Sequence, residues 1–386
     1  VTETTQRLYH GSPLQPYSIG VLVDLPDYPG LSDAFPDMIR FALAEARARG
    51  IVEREIEVVH REVKATPWTD ARPLIAAYRS LVADEGVLAV AGPMTSDNCL
   101  PLLPETRRMR MPTVTICGSL QWRGRFAFSL ANGGLADEPA IMAAWLSGEG
   151  HRRVAVVRET THVGEEYAGF FRMACRERGI AICAEAPVYA VASQAELTEL
   201  LLRCKDAKPD ALVYLGIGAL NQVFRAALEH AEWDPPRIQT TAFVSAAYSK
   251  DRAERLEGWV GVDQYDERNQ VFAAVLDRFE QAYGYRPANS GASCGYDIGH
   301  VIALAIGRMR LATPQSVAEA LETIRRLPAC TGGPGTTITF GPGDHRGFKG
   351  PDFLVLRSAR DGTTSLIGGA PVEPWEQPDP TGPQHT

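Results

Sequence analysis

The sequence is poor in everything that marks a nucleic-acid partner. No run of Lys or Arg exceeds a pair such as Arg107-Arg108 or Arg152-Arg153, and 39 basic residues face 47 acidic ones for a net charge of -8. No basic stripe awaits phosphates, so nucleic acid is excluded as a partner. The seven Cys are odd in number and include no CxxC pair, which argues against a disulfide framework or a cysteine zinc site. They read as buried apolar fillers. The eight His show no HExxH or other ligand spacing, so neither a metal nor another cofactor has support. No stretch approaches the length of a membrane span, which excludes stable membrane insertion. The opening VTETTQRLYHGSPLQPYS has neither a basic nor an apolar region of the kind a leader carries. The expected location is therefore periplasmic or otherwise extracytoplasmic if a leader has been removed, and cytoplasmic if none was present.

What is present is a substantial apolar content, 45% of 386 residues, enough for two lobes rather than one. "YSIGVLV" (17–23) is a continuous apolar run, and Phe35, Met38, Ile39, Ala42, Leu43 and Ala46 then recur at helical spacing up to a stop at Gly50. The same grammar repeats through "IEVVHREV", "VLAVAG" and "TVTIC". After the Gly-rich "RFAFSLANGGLADEP" a second set begins with "RRVAVVRE", "DALVYLG" and "RIQTTAFV". Unbroken apolar strands separated by amphipathic helices predict parallel sheets covered on both faces. Two longer helices are predicted around Phe272–Tyr283 and Ile298–Met309, late strands at "TTITF" and "DFLVLRS", and a Pro-rich tail over 371–386.

Ligands of open α/β sheets bind beyond the carboxyl ends of strands, where helix N-termini offer unpaired N–H groups. In "AVAGPMTSDNCLPLLPE" (89–105), Thr95 and Ser96 sit at such a junction. Ser96 or Asn98 could equally be a plain helix cap. Pro101 is tolerable in a first turn, whereas Pro104 should kink the helix.

The order of these stretches resembles the type I periplasmic-binding-protein fold, specifically the branched-chain amino-acid and amide-binding receptors of ABC transporters. The resemblance runs over about residues 17 to 368 and is carried by "SIGVLVDLPDYPG", "VLAVAGPMTSDNCLPLLP", "PTVTICGSL", "VAVVRETTHVGEEYAGFF", "DALVYLGIGALNQVFRAA", "GASCGYDIGHVIALAI" and "GTTITFGPGDHRGFKGPDFLVLR". It implies two Rossmann-like lobes, parallel sheets flanked by helices, joined by three crossover strands near 129–133, 261–265 and 341–350. Lobe 1 would comprise 17–131 and 264–343, and lobe 2 would comprise 132–263 and 344–370. By position, the residues implied at the ligand are Tyr28, Thr95, Ser96, Gly118, Ser119, His162, Val163, Gly216, Phe243 and Tyr265. Tyr28 can also be read as a turn anchor, Gly118-Ser119 as an ordinary turn, and His162 stands where the family usually has an aromatic.

The family's amino-acid receptors place a carboxylate in the loop matched by "TTAFVSAAY" (240–248), and none is present there. Unless Asp97 or Asp266 replaces it, a buried ammonium would lack a counter-charge. The expected solute is therefore a carboxylate or amide with an apolar or aromatic body rather than a free α-amino acid. An anionic head is expected near Ser96, Ser119 and His162, against a body at Tyr28, Phe243 and Tyr265.

Enzymatic readings fare worse. "GASCG" (291–295) satisfies G-x-S-x-G but does not follow a strand, and "GIGALN" (216–221) lacks the third Gly of a dinucleotide loop. Asp297 of the Tyr296-Asp297 pair is expected to favour the dipole of a helix start. The function expected is that of a non-enzymatic receptor that hands a small molecule to an ABC permease. The alternative is a cytoplasmic sensor of the amide-responsive type, with a regulatory protein as its partner.

Overall fold

The computed structural model describes residues 15–25, 33–349 and 353–374. Strand β1 (Tyr17–Val23) pairs in parallel with β2 (Ile56–Glu62) and β3 (Val90–Ala91), and β4 (Thr113–Thr115) and β5 (Ala127–Ser129) complete a five-stranded sheet in the order β2-β1-β3-β4-β5. Helices α1 (Ala34–Ala48) and α2 (Arg72–Ala83) turn Phe35, Ile39 and Leu43, and Leu74, Tyr78 and Leu81, into its core clusters. Their apolar residues recur every three or four positions, so each helix buries one stripe.

The following helical stretch is broken by its prolines. It splits into α3 (Ser96–Cys99), a 3-10 turn at Leu100–Leu102 and α4 (Leu103–Met109), with Pro101 and Pro104 each in the first turn of a new piece, where a missing N–H costs little.

The chain then leaves this sheet and builds a second. In it α5 (Glu138–Gly148), α6 (His162–Glu177), α7 (Gln194–Asp206), α8 (Phe224–His230) and α9 (Lys250–Arg255) alternate with β6 (Arg153–Glu159), β7 (Ala181–Val188), β8 (Ala211–Leu215), β9 (Arg237–Gln239) and β10 (Trp259–Asp263). These five strands are parallel in the order β7-β6-β8-β9-β10. "RIQTTAFV" is strand only to Gln239; Thr240 accepts a hydrogen bond from Ala242 N at 3.3 Å and Thr241–Ala247 winds into a 3-10 helix.

Helices α10 (Gln270–Tyr283) and α11 (Ser290–Arg308) return to the first sheet, followed by α12 (Pro314–Leu321) and a short pair, β11 (Leu327–Pro328) and β12 (Thr337–Ile338). The chain ends on the second sheet, where β13 (Val355–Arg360) runs antiparallel to β10 and hairpins into β14 (Thr363–Leu366). The result is two α/β lobes joined by crossover strands, the architecture that the resemblance implies. Of the stretch expected as a tail over 371–386, Val372 bridges to Thr364, and residues 375–386 lie outside the described ones.

Helix α11 shows what "GASCGYDIG" is for. A Cβ at Gly295 would come within 2.6 Å of Phe35 O, at Gly299 within 2.9 Å of Ile39 O, and at Gly307 within 2.2 Å of Ile51 O, so these glycines let α11 lie directly on α1. Ser293 is fully buried on the side of the Thr331 loop, where it donates to Ser290 O and accepts from Thr331 Oγ1. The expectation for Asp297 is corrected. The helix begins seven residues earlier, and the carboxylate instead accepts from Cys330 N (2.8 Å) and Thr331 N (2.9 Å), tying a loop to the helix flank.

The three crossovers touch one another. Gln264 donates to Ala131 O and accepts from Gly133 N, both at 2.8 Å. Ser129 N donates to His345 O and Gly347 N to Ser129 O, while the His345 ring stacks on Phe128.

Candidate ligand-binding cleft

Between the two sheets lies a cavity of about 100 Å³ formed where strand ends of both lobes meet. The first lobe supplies Leu25, Met94, Thr95, Ser96 and Ile116; the second supplies Val163, Tyr167, Gly216, Ile217, Gly218, Thr241, Ala242, Val244, Ser245 and Tyr248; the crossover supplies Asn132 and Leu135. Among the described residues no charged side chain lines it. The Asn132 amide oxygen is buried without a hydrogen-bond partner, while the Thr95 hydroxyl lies beside Asp24 and the Tyr248 hydroxyl beside Ser290. Buried polar atoms are nearly always paired, so an atom left over at a cavity wall points to something that fills it.

Each wall has a local cause. The buried Asp24 carboxylate, which accepts from Met94 N (2.6 Å), Thr95 N (3.1 Å) and Asn98 Nδ2 (2.7 Å), fixes the Thr95-Ser96 turn. Ser96 Oγ then accepts from Gly118 N at 3.0 Å. Asn98 therefore serves the loop rather than the helix start. In the second lobe, Glu159 at the end of β6 lies beneath the Gly216–Gly218 loop and accepts from Tyr214 Oη and from Ile217 N at 3.1 Å. A Cβ at Gly216 would meet that carboxylate at 2.4 Å, which is why this turn needs glycine. On the far wall Glu138 accepts from Tyr167 Oη (2.5 Å), Thr241 N (2.7 Å) and Thr241 Oγ1 (3.2 Å). Burial, opposed by these hydrogen bonds, pushes Glu138 up to about 8 and Glu159 up to about 7, and raises Asp24 as well.

The two lobes also touch at the rim. Asp97 Oδ1 accepts from His162 N (2.8 Å) and Val163 N (3.3 Å), capping the start of α6 from the opposite lobe. Glu166 accepts from Ser119 Oγ (2.6 Å) and Leu120 N (3.0 Å), and Gln121 meets the His162 ring at 2.8 Å.

Of the residues expected at the ligand, Thr95, Ser96, Val163 and Gly216 line the cavity. Tyr28 lies outside the described residues. Gly118 stands one step behind Ser96, and Ser119 and His162 serve the rim contact instead of the cavity. Phe243 and Tyr265 are corrections. The 3-10 winding after Thr240 turns Phe243 inward onto Gly261, among Tyr214, Phe224 and Trp259, and presents Val244 and Ser245 to the cavity. Tyr265 packs edge-on against Phe272 beneath the Arg357 guanidinium, 5.2 Å away. Neither Asp97 nor Asp266 lines the cavity: Asp97 caps α6 with Oδ1 while its Oδ2 is buried without a partner, and Asp266 holds Arg268 at 2.9 and 2.7 Å. Tyr167, Asn132 and Glu138 were not singled out by spacing. Tyr167 carries the same periodicity as a core residue, and Glu138 reads as an ordinary first-turn acid.

The sequence profile of a family described as periplasmic binding protein matches residues 16–361. This chain belongs to the periplasmic binding protein family. No curated protein sequence matches it. Among solved structures, this periplasmic binding protein is similar to an ABC transporter substrate-binding protein from Desulfitobacterium hafniense in complex with Leu, at 19% identity and TM-score 0.75, covering 91% of this chain and 100% of that one. It is also similar to a periplasmic binding protein type 1 from Bordetella pertussis Tohama I (17%, TM-score 0.78, 93% and 100% covered). A third is the branched-chain amino acid transporter substrate-binding protein LivJ from Streptococcus pneumoniae in complex with isoleucine (18%, TM-score 0.74, 93% and 100% covered).

Proposed function

We propose that this periplasmic binding protein is the extracytoplasmic receptor of an ABC importer, and that its solute is a short aliphatic amide. The observation that carries the reading is the cavity lining: aliphatic side chains, neutral polar residues and the unpaired Asn132 oxygen, with no charged side chain among the described residues. A carboxylate ligand would be buried there without a cation to pair it. A neutral amide supplies one acceptor and two N–H donors, which suit the unpaired Asn132 oxygen and a wall of neutral polar residues. Size sets a limit as well. About 100 Å³ is below the roughly 150 Å³ of a cavity that admits benzene, so a chain as long as leucine requires the walls to part. The relatives whose structures hold Leu and isoleucine support the receptor role; the amide rests on this chain's own lining.

Calorimetry with propionamide, propionate and leucine tests the reading at constant pH. Propionamide is expected to bind at least tenfold more tightly than either of the others. Leucine binding tighter than propionamide would overturn the amide.

A further inference from the structure

We propose that Glu138, which does not touch the cavity, sets whether the cavity wall accepts or donates hydrogen bonds, through the hydroxyls of Tyr167 and Thr241. Tyr167 and Thr241 both line the cavity, and their hydroxyls point at the same carboxylate oxygen, Tyr167 Oη at 2.5 Å and Thr241 Oγ1 at 3.2 Å, with the two hydroxyl oxygens 3.4 Å apart. The other carboxylate oxygen is taken by Thr241 N. A hydroxyl has one proton and two lone pairs. While Glu138 is ionised, both hydroxyl protons are committed to it, and only lone pairs remain for the cavity. The wall is then an acceptor and suits a ligand N–H. When Glu138 holds a proton, its own O–H donates to Tyr167 Oη or Thr241 Oγ1. The displaced hydroxyl proton turns into the cavity, and the wall becomes a donor.

The surroundings keep both states within reach. Glu138 is fully buried, and the Gly133 backbone closes over it so tightly that a Cβ there would stand 2.0 Å from Oε1. The charged and titratable groups that face it are few. Among the described residues, on α6 there is Tyr167, and on its own turn Asp137, paired with Arg346 of the third crossover at 3.5 Å. The Thr240–Ala247 stretch and the Gly133 loop contribute Thr241, Gln264 and backbone only. With burial raising Glu138 to about 8, the protonated form predominates at neutral pH, and a bound N–H donor draws the group toward its ionised form. Each such binding event releases the proton of Glu138 to the buffer.

The inference rests on the amide reading for its choice of probes, and the test separates the two. Propionamide is compared with butanone, in which a methyl replaces the NH2. For the unaltered protein, propionamide affinity is expected to rise about fiftyfold from pH 6 to pH 8 and then level off, since only the ionised fraction is competent. Calorimetry at pH 7 in buffers of different ionisation enthalpy should show close to one proton released per propionamide. Butanone should show neither effect. Glu138→Gln carries a permanent NH2 donor in place of the protonated carboxyl and should bind propionamide at the pH 6 level throughout, with no proton release. Binding of propionamide without proton release, or a pH rise that persists in Glu138→Gln, overturns the inference. If propionamide does not bind at all, the amide reading fails. The hydroxyl relay is then decided without ligand by 13C NMR of the Glu138 carboxyl and the Tyr167 ζ carbon. A shared midpoint near 8 supports it. A Glu138 that titrates with no response from Tyr167 overturns it, and so does one that titrates in the ordinary carboxylate range.

Discussion

Glu159 is the residue whose burial should be felt in the stability of the whole chain. Its carboxyl sits under the Gly216–Gly218 loop with a native value near 7, held there by burial against the hydrogen bonds of Tyr214 and Ile217. Unfolded, it titrates near the ordinary glutamate value of about 4.3. Because the native value is the higher one, the folded state binds more protons between these limits, and stability falls as pH rises through that window, levelling above about 7. The contribution is on the order of 3 kcal/mol, and Glu138 adds a fall of the same sign that extends to about 8. Urea unfolding of Glu159→Gln should therefore lose less stability between pH 5 and pH 8 than the unaltered protein does. Equal slopes would show that Glu159 is ionised in the native state. None of this is legible in the sequence. "RRVAVVRE" announces a strand that ends in an acid, but whether that acid meets water or a tyrosine depends on a loop more than fifty residues away.

At the level of elements, periodicity was enough for the parallel strands and their covering helices, because those are set by local apolar spacing. It was not enough where a few residues decide a direction. The stretch Thr240–Ala247 looks like more strand, and the strand reading puts Phe243 in the cleft. The 3-10 winding reverses that assignment and hands the cleft to Val244, Ser245 and Tyr248. Likewise, the glycines of α11 resemble a catalytic elbow until the α1 backbone is seen beneath them. Gly307→Ala should cost about 1–3 kcal/mol, because its Cβ would meet Ile51 O at 2.2 Å and backbone cannot step aside as a side-chain tip can. Gly169→Ala on the exposed face of α6, where nothing lies within 4 Å, should instead stabilise by up to about 1 kcal/mol. Denaturant midpoints of the two variants check the pair. A similar loss in both would mean that helix propensity is not the operating difference.

The molecule as a whole is held shut by contacts that involve no ligand. Asp97 reaches across the rim to the first two amides of α6, and Glu166 reaches back to Ser119 and Leu120. Two lobes that can part exist as open and closed populations, and each cross-rim bond weights the closed one. Asp97→Ala removes the cap and leaves those amides to water, a loss of about 1–2 kcal/mol that moves the balance roughly tenfold toward open. Small-angle scattering of the ligand-free variant should give a larger radius of gyration than the unaltered chain, with saturating solute narrowing the difference. An unchanged radius would mean that closure is carried by the crossovers and the cavity walls alone.

The joint between the lobes constrains how that opening can happen. Gln264 clips the second crossover to the first at Ala131 and Gly133, and Ser129 is zipped from both sides to His345 and Gly347 of the third. Three separate threads would let the lobes roll, slide and twist independently. Fastened edge to edge, they form a flat strap, which bends readily about the one line across its width and resists shear in its own plane. The lobes are therefore left with a single swing, and anything outside that senses their arrangement has one angle to read instead of three.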